Sequence, residues 1–140
     1  MKLQPEKFTV QTISAHGPGW VLVVQGAEGE KVTHSVVLSA SGIRQPWACN
    51  SFSDLNASHF APLAELDCEL VIFGSGKKLR FPDPAWLQLL MARGIGLETM
   101  DTPAACRTFN ILAGEGRKVV AALVLEPGNE PSDDLRGVSG

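Results

Sequence analysis

Two short apolar runs constrain the fold of this chain more than any other feature. Leu70-Val71-Ile72-Phe73 and Val119-Val120-Ala121-Ala122-Leu123-Val124-Leu125 are almost uninterrupted by polar residues, so they read as strands buried on both faces. Between them lie two helical segments and a third strand, "IGLETM". Asp83 precedes Pro84 and Gly94 follows Arg93, the start and stop signals of a helix over 84–93 with Trp86, Leu87, Leu90 and Met91 as its inward stripe. Thr102 precedes Pro103 and is expected to cap a second helix that carries Cys106, Arg107 and Asn110. Strand, helix, strand, helix, strand is the signature of an α/β sheet, with parallel pairing of the strands beginning near Cys68 and Ile95.

The first part of the chain reads differently. "FTVQTISA" and "WVLVVQG" are strands separated by the turn Gly17-Pro18-Gly19, and "KVTHSVVLSAS" is a third strand candidate after the reversal "GAEGE". These predict an antiparallel meander added to the α/β unit. Pro46, Pro62 and the polar run 50–58 break up the middle of the chain, where a short helix over 56–66 turns Phe60, Leu63 and Ala64 inward. The expected fold is a three-layer α/β domain over residues 1–126, with a mixed, mostly parallel central sheet, helices on both sides and the N-terminal meander. The stretch 127–140, "PGNEPSDDLRGVSG", is expected to be a weakly ordered polar tail.

Composition narrows the function classes. Of the 140 residues, 12 are basic and 15 acidic, and a net charge of -3 gives no general reason to expect a nucleic-acid partner. Cys49, Cys68 and Cys106 have neither C-x-x-C nor zinc-finger spacing, and His16, His34 and His59 are isolated, so no metal site and no cofactor are expected. Three cysteines would leave one unpaired, which favours a reducing compartment; with no signal peptide and no integral membrane segment, a cytoplasmic location is expected.

Chemistry in an open α/β sheet gathers at the strand carboxyl ends. Here those ends supply Gly74, Ser75 and Gly76 after one strand, and Asp101 and Thr102 after another. One reading is a small-anion site, in a binding protein or enzyme, that uses Ser75, the amides near Ala104 and the nearby Arg107. The other is a loop-organising network in which Asn110 bonds a neighbouring loop and Arg107 pairs with Glu98 or Asp101. Gly74-Ser75-Gly76 matches neither a dinucleotide fingerprint nor a phosphate loop. Cys106 has no histidine near it in sequence, so no catalytic residue is assigned, and it is expected to be an inert core thiol.

These residues also carry a resemblance. Gly74-Ser75-Gly76, the stretch 94–102, the run 104–110, Glu115-Gly116-Arg117 and 119–123 resemble the single-domain α/β family that contains the mitochondrial respiratory complex I assembly factor three. The adipogenesis-associated domain protein and many bacterial and archaeal proteins are further members, and the similarity in layout runs over roughly residues 5–126. The resemblance implies the same mixed sheet with an added β layer and no settled enzyme activity. It also implies a non-enzymatic protein-binding or assembly-related role, with a respiratory-complex component as partner; self-association as a dimer is a further expectation. This chain departs from the family pattern at Ser75, Pro103 and Phe109, where threonine, glycine and tyrosine are frequent, so no mechanism here can use a phenol at 109.

Overall fold

The computed structural model describes residues 9–127. Gln11–Gly17 (β1), Trp20–Gln25 (β2) and Glu28–Val32 (β3) pair antiparallel in the order β1-β2-β3. Gly19 and Gly26 take positive φ of 77° and 64° at the two reversals, a conformation that costs glycine little. Ile13, Val21, Val23 and Val32 are buried on the inner face of this meander.

The larger sheet holds Val36–Ser39 (β4), Arg44–Pro46 (β5), Leu70–Gly74 (β6), Gly96–Met100 (β7) and Val119–Leu123 (β8), in the order β5-β4-β8-β6-β7. β6 runs parallel to both β7 and β8, whereas β4 is antiparallel to β8 and to β5. The sheet is therefore mixed, parallel in the half built by helical crossovers. β8 lies at its centre with all five residues buried, which is why its sequence is apolar at consecutive positions. Val124 and Leu125, just beyond it, are buried as well.

One face of this sheet is covered by the meander together with the helix Thr102–Gly114, where Ala105, Cys106, Phe109 and Ala113 pack against Ile72, Ala121 and Leu123. The other face is covered by short helices. Ala57–Phe60 (α1) continues as a 3-10 turn over Ala61–Glu65, which contains Pro62, and turns Phe60, Leu63 and Ala64 inward as expected. A 3-10 turn over Pro84–Leu87, capped by the Asp83 carboxylate on the Ala85 amide, leads into Gln88–Ala92 (α2). Phe60 joins these pieces: its ring meets Phe73 edge-on at 5.3 Å and stacks on Trp86 at 5.9 Å. We number Thr102–Gly114 α3.

Three expectations change. "KVTHSVVLSAS" is two strands in two different sheets, because the chain leaves the meander after Val32 and enters the central sheet at Val36. Ser35 fixes that passage: its hydroxyl accepts from the Leu125 amide at 2.9 Å, and its carbonyl accepts from the Trp47 amide at 2.9 Å. Met91 is 69% exposed, while Leu90 is buried and Trp86 and Leu87 are half-buried. The first turn winds at about three residues per turn rather than 3.6, so a stripe drawn at helical spacing from Trp86 loses phase before Met91. Thr102 is the first residue of α3 and not its cap, as described below. The tail beyond Pro127 lies outside the described residues. No helix among the described residues is long and apolar enough to cross a membrane.

Candidate functional site

β6 and β8 end side by side, Gly74 opposite Leu123, and the loops leaving them are tied together. The Val124 amide donates to the Gly74 carbonyl at 2.9 Å, and the Ser75 amide donates to the Met100 carbonyl at the end of β7, also at 2.9 Å. Thr102 joins all of this to α3. Its amide donates to the Gly76 carbonyl at 2.9 Å, its hydroxyl accepts from the Gly76 amide at 2.9 Å, and the same hydroxyl donates to the Val124 carbonyl at 2.8 Å.

This closeness explains the glycines. A Cβ on Gly74 would stand 2.9 Å from the Thr102 hydroxyl and 3.0 Å from the Thr102 Cα, too tight for any side chain. Gly76 has φ of 110°, a conformation L side chains rarely adopt. Because the Thr102 hydroxyl is engaged by the strand ends, the helix is capped by Asp101, whose Oδ1 accepts from the Ala104 amide at 2.9 Å. Pro103 therefore occupies the second helical position rather than the first.

The small-anion reading needs free donors at this point, and its backbone and hydroxyl donors are engaged. The Ala105 amide donates to the Asp101 carbonyl, Pro103 has no amide hydrogen, and the Thr102 and Ala104 amides are bonded as above. Ser75 Oγ donates to the Lys78 carbonyl at 2.7 Å and accepts from the Arg80 amide at 3.0 Å. The Lys77 amide donates to the Glu126 carboxylate at 3.1 Å, which places a negative charge beside Gly76. A cavity of about 350 Å3 opens here, bounded by His16, Trp20, Gly76, Thr102, Pro103 and Glu126. A second cavity, of about 600 Å3, lies at the other end of the parallel strands beside Ser39, Asp67 and Arg117 and contains none of the sequence-predicted residues.

Asn110 lies apart from this cluster and does different work. Its Oδ1 accepts from the Ile13 amide at 2.8 Å and its Nδ2 donates to the Ile13 carbonyl at 2.7 Å. β1 is the outer strand of the meander, and its register shifts between Ile13 and Ala15. The Asn110 amide thus gives Ile13 the two partners that a neighbouring strand would supply. Arg107 and Glu98 do not join it. Both are exposed, and neither side chain makes a hydrogen bond or ion pair among the described residues. Arg107 lies on the solvent side of α3 with Ile111, so the expected Arg107–Glu98 or Arg107–Asp101 pairing is corrected.

Cys106 is 1% exposed, packed with Ala105 and Phe109 beneath the meander. Burial pushes its thiol up to about 12, and the Arg107 charge offsets only part of that. His59 belongs to the layer on the opposite face, where Nδ1 accepts from the Asn56 amide and Nε2 bonds the Ala48 carbonyl, and the His34 ring bonds the Ser35 carbonyl. No cluster of three or more metal-ligating side chains occurs among the described residues. Native Cys106 is therefore expected to alkylate at least about tenfold more slowly than an exposed model thiol at neutral pH. Site-resolved mass spectrometry checks this, and labelling as fast as the model thiol would contradict it.

Sequence reasoning missed three buried polar anchors, one of them Ser39, whose hydroxyl accepts from the Ile43 amide at 2.8 Å. Gln11 Nε2 donates to the Ser39 and Ile43 carbonyls at 2.9 and 2.8 Å, and its Oε1 accepts from Arg44 Nε at 2.9 Å. Ser35 is the third. The one available signal was a polar residue inside an otherwise apolar strand pattern.

With this geometry in view, the comparisons with known proteins become specific. Residues 13–124 match the family model described as "Protein of unknown function (DUF498/DUF598)". The chain belongs to this family. The mouse protein named NADH dehydrogenase [ubiquinone] 1 alpha subcomplex assembly factor 3 is 38% identical over 102 residues, covering 71% of this chain and 55% of its own length. A Rhodobacter capsulatus protein is 35% identical over 121 residues, covering 86% of this chain and 89% of that one. The crystal structure of a Bordetella parapertussis protein superposes with a TM-score of 0.76 at 34% identity, covering 84% of this chain and 98% of that chain. The DUF498/DUF598 match spans the meander, the central sheet and α3, so the family and fold expected from the quoted stretches are the ones found. The chain spans about half the length of the mammalian assembly factors, 55% of the mouse and 46% of the human protein.

Proposed function

We propose that this chain works by binding protein, in an assembly role linked to respiratory complex I, rather than by transforming a substrate. The observation that carries the reading is an apolar surface beside an open sheet edge. Leu89 and Met91 are exposed on α2, which touches β7, and β7 pairs with β6 alone among the described residues. Large apolar side chains at the surface and an unpaired strand edge are both features that partner proteins cover. The mouse relative's name as an assembly factor supports the same reading, as do the strand-end donors already engaged inside the protein.

The test is a pull-down from native lysate with the full chain as bait, beside a Leu89→Ser/Met91→Ser double variant. Subunits of NADH dehydrogenase are expected to be enriched over a non-binding control, and the double variant is expected to lose at least about tenfold of that enrichment. Both positions are exposed, so thermal unfolding should barely change. Equal recovery with the double variant, or no enrichment under native expression, contradicts the proposal.

A further inference from the structure

The loop that follows β6 carries the sequence Lys77-Lys78-Leu79-Arg80-Phe81, and all five residues are exposed. Leu79 is 53% and Phe81 69% exposed, so two large apolar side chains stand in water next to three cations. Asp83 is the nearest acidic residue along the chain and the Glu126 carboxylate bonds the Lys77 amide, so the tip sets three cations against two acids in a chain that is net negative at -3. None of the three cations forms a salt bridge among the described residues.

The tip is also held in place. Ser75 Oγ bridges the Lys78 carbonyl and the Arg80 amide, Gly76 is bonded through both its amide and its carbonyl to Thr102, and the Lys77 amide is bonded to Glu126. The Arg80 guanidinium lies over the Phe52 ring at 5.8 Å. Residues 78–81 border neither of the two cavities described above, and the exposure of Leu79 and Phe81 places both side chains at the surface.

We propose that the Lys77–Phe81 tip docks this protein on an anionic lipid surface. Phe81 and Leu79 enter the headgroup boundary, while Lys77 and Lys78 keep their ammonium groups among the lipid phosphates, as long cationic side chains do at such interfaces. Each basic residue near an anionic bilayer strengthens binding by about fivefold, so Lys77 and Lys78 together give a preference on the order of 25-fold over a neutral bilayer. A lipid surface suits this tip better than an acidic protein because the projecting apolar pair needs a soft layer to enter, whereas a protein must supply a matching pocket. Lysine, which protein interfaces disfavour, is at home beside lipid headgroups. The proposal goes beyond the protein-binding reading and uses different residues from Leu89 and Met91.

The full 140-residue chain tests it by co-sedimentation with two vesicle types, pure phosphatidylcholine and phosphatidylcholine with about one-third phosphatidylglycerol. Binding is expected to the anionic vesicles, with weak binding to the neutral ones and a fall as salt is raised. Leu79→Ser/Phe81→Ser and Lys77→Gln/Lys78→Gln should each reduce binding at least tenfold, and Ile111→Ser, an exposed apolar residue on α3, should leave it unchanged. Unfolding curves establish that the variants fold. Soluble polyglutamate added at equal charge supplies the acidic-protein alternative. The proposal is overturned if the chain ignores anionic vesicles, if the Leu79/Phe81 variant binds them like the native protein, or if polyglutamate displaces it completely.

Discussion

Asn110→Ala should lower the unfolding free energy by about 2–4 kcal/mol, while Arg107→Ala should change it by less than about 0.5 kcal/mol. The two residues are three apart on α3, yet their surroundings differ completely. Truncating Asn110 leaves the amide and the carbonyl of Ile13 without partners at a partly buried position, and each unpaired group costs about 1–3 kcal/mol. Asn110→Asp is expected to be nearly as damaging, because a carboxylate can accept from the Ile13 amide but cannot donate to its carbonyl. Arg107 has no bonded partner to lose. Urea unfolding of the three variants separates these outcomes. If Arg107→Ala were as costly as Asn110→Ala, the assignment of α3's polar anchor would be wrong.

The contrast also shows where the sequence is informative. β6 and β8 are legible because a strand buried on both faces must be apolar at consecutive positions, and few other structures impose that pattern. The α2 segment is located by Asp83, Pro84 and Gly94, but its phase is not, since a 3-10 first turn and an α-helical one share the same start signals. Residues 31–41 look like one strand because β periodicity is the same in either sheet. What divides them is the bond between Ser35 and Leu125, which joins residues 90 positions apart.

The candidate site follows the same rule. Thr102 and Asp101 are adjacent, and both residue types cap helices. The choice between them depends on whether a strand loop comes close enough to engage the threonine hydroxyl. Gly74 and Gly76 signal that something approaches closely, yet they do not say whether it is a ligand or the protein's own backbone. Here it is the protein's own threonine.

Thr102→Val should therefore cost about 2–4 kcal/mol although it nearly preserves shape. The substitution removes one hydroxyl that serves two buried groups, the Gly76 amide and the Val124 carbonyl, and valine can satisfy neither. Thr102→Ser keeps the hydroxyl and loses only a methyl group, so about 1 kcal/mol is expected. A larger loss in Thr102→Ser than in Thr102→Val would show that packing outweighs the hydrogen bonds at this position.

The claim that these strand-end groups organise the protein's own loops, with no ligand needed, is tested most directly by amide hydrogen exchange at Gly76. In the unliganded native protein that amide should be strongly protected. In Thr102→Val its exchange should accelerate on the order of 100-fold, and Thr102→Ser should retain most of the protection. A Gly76 amide that exchanges freely in the native protein, and slows only when phosphate is added, would contradict this account and restore the strand-end crevice as an anion site.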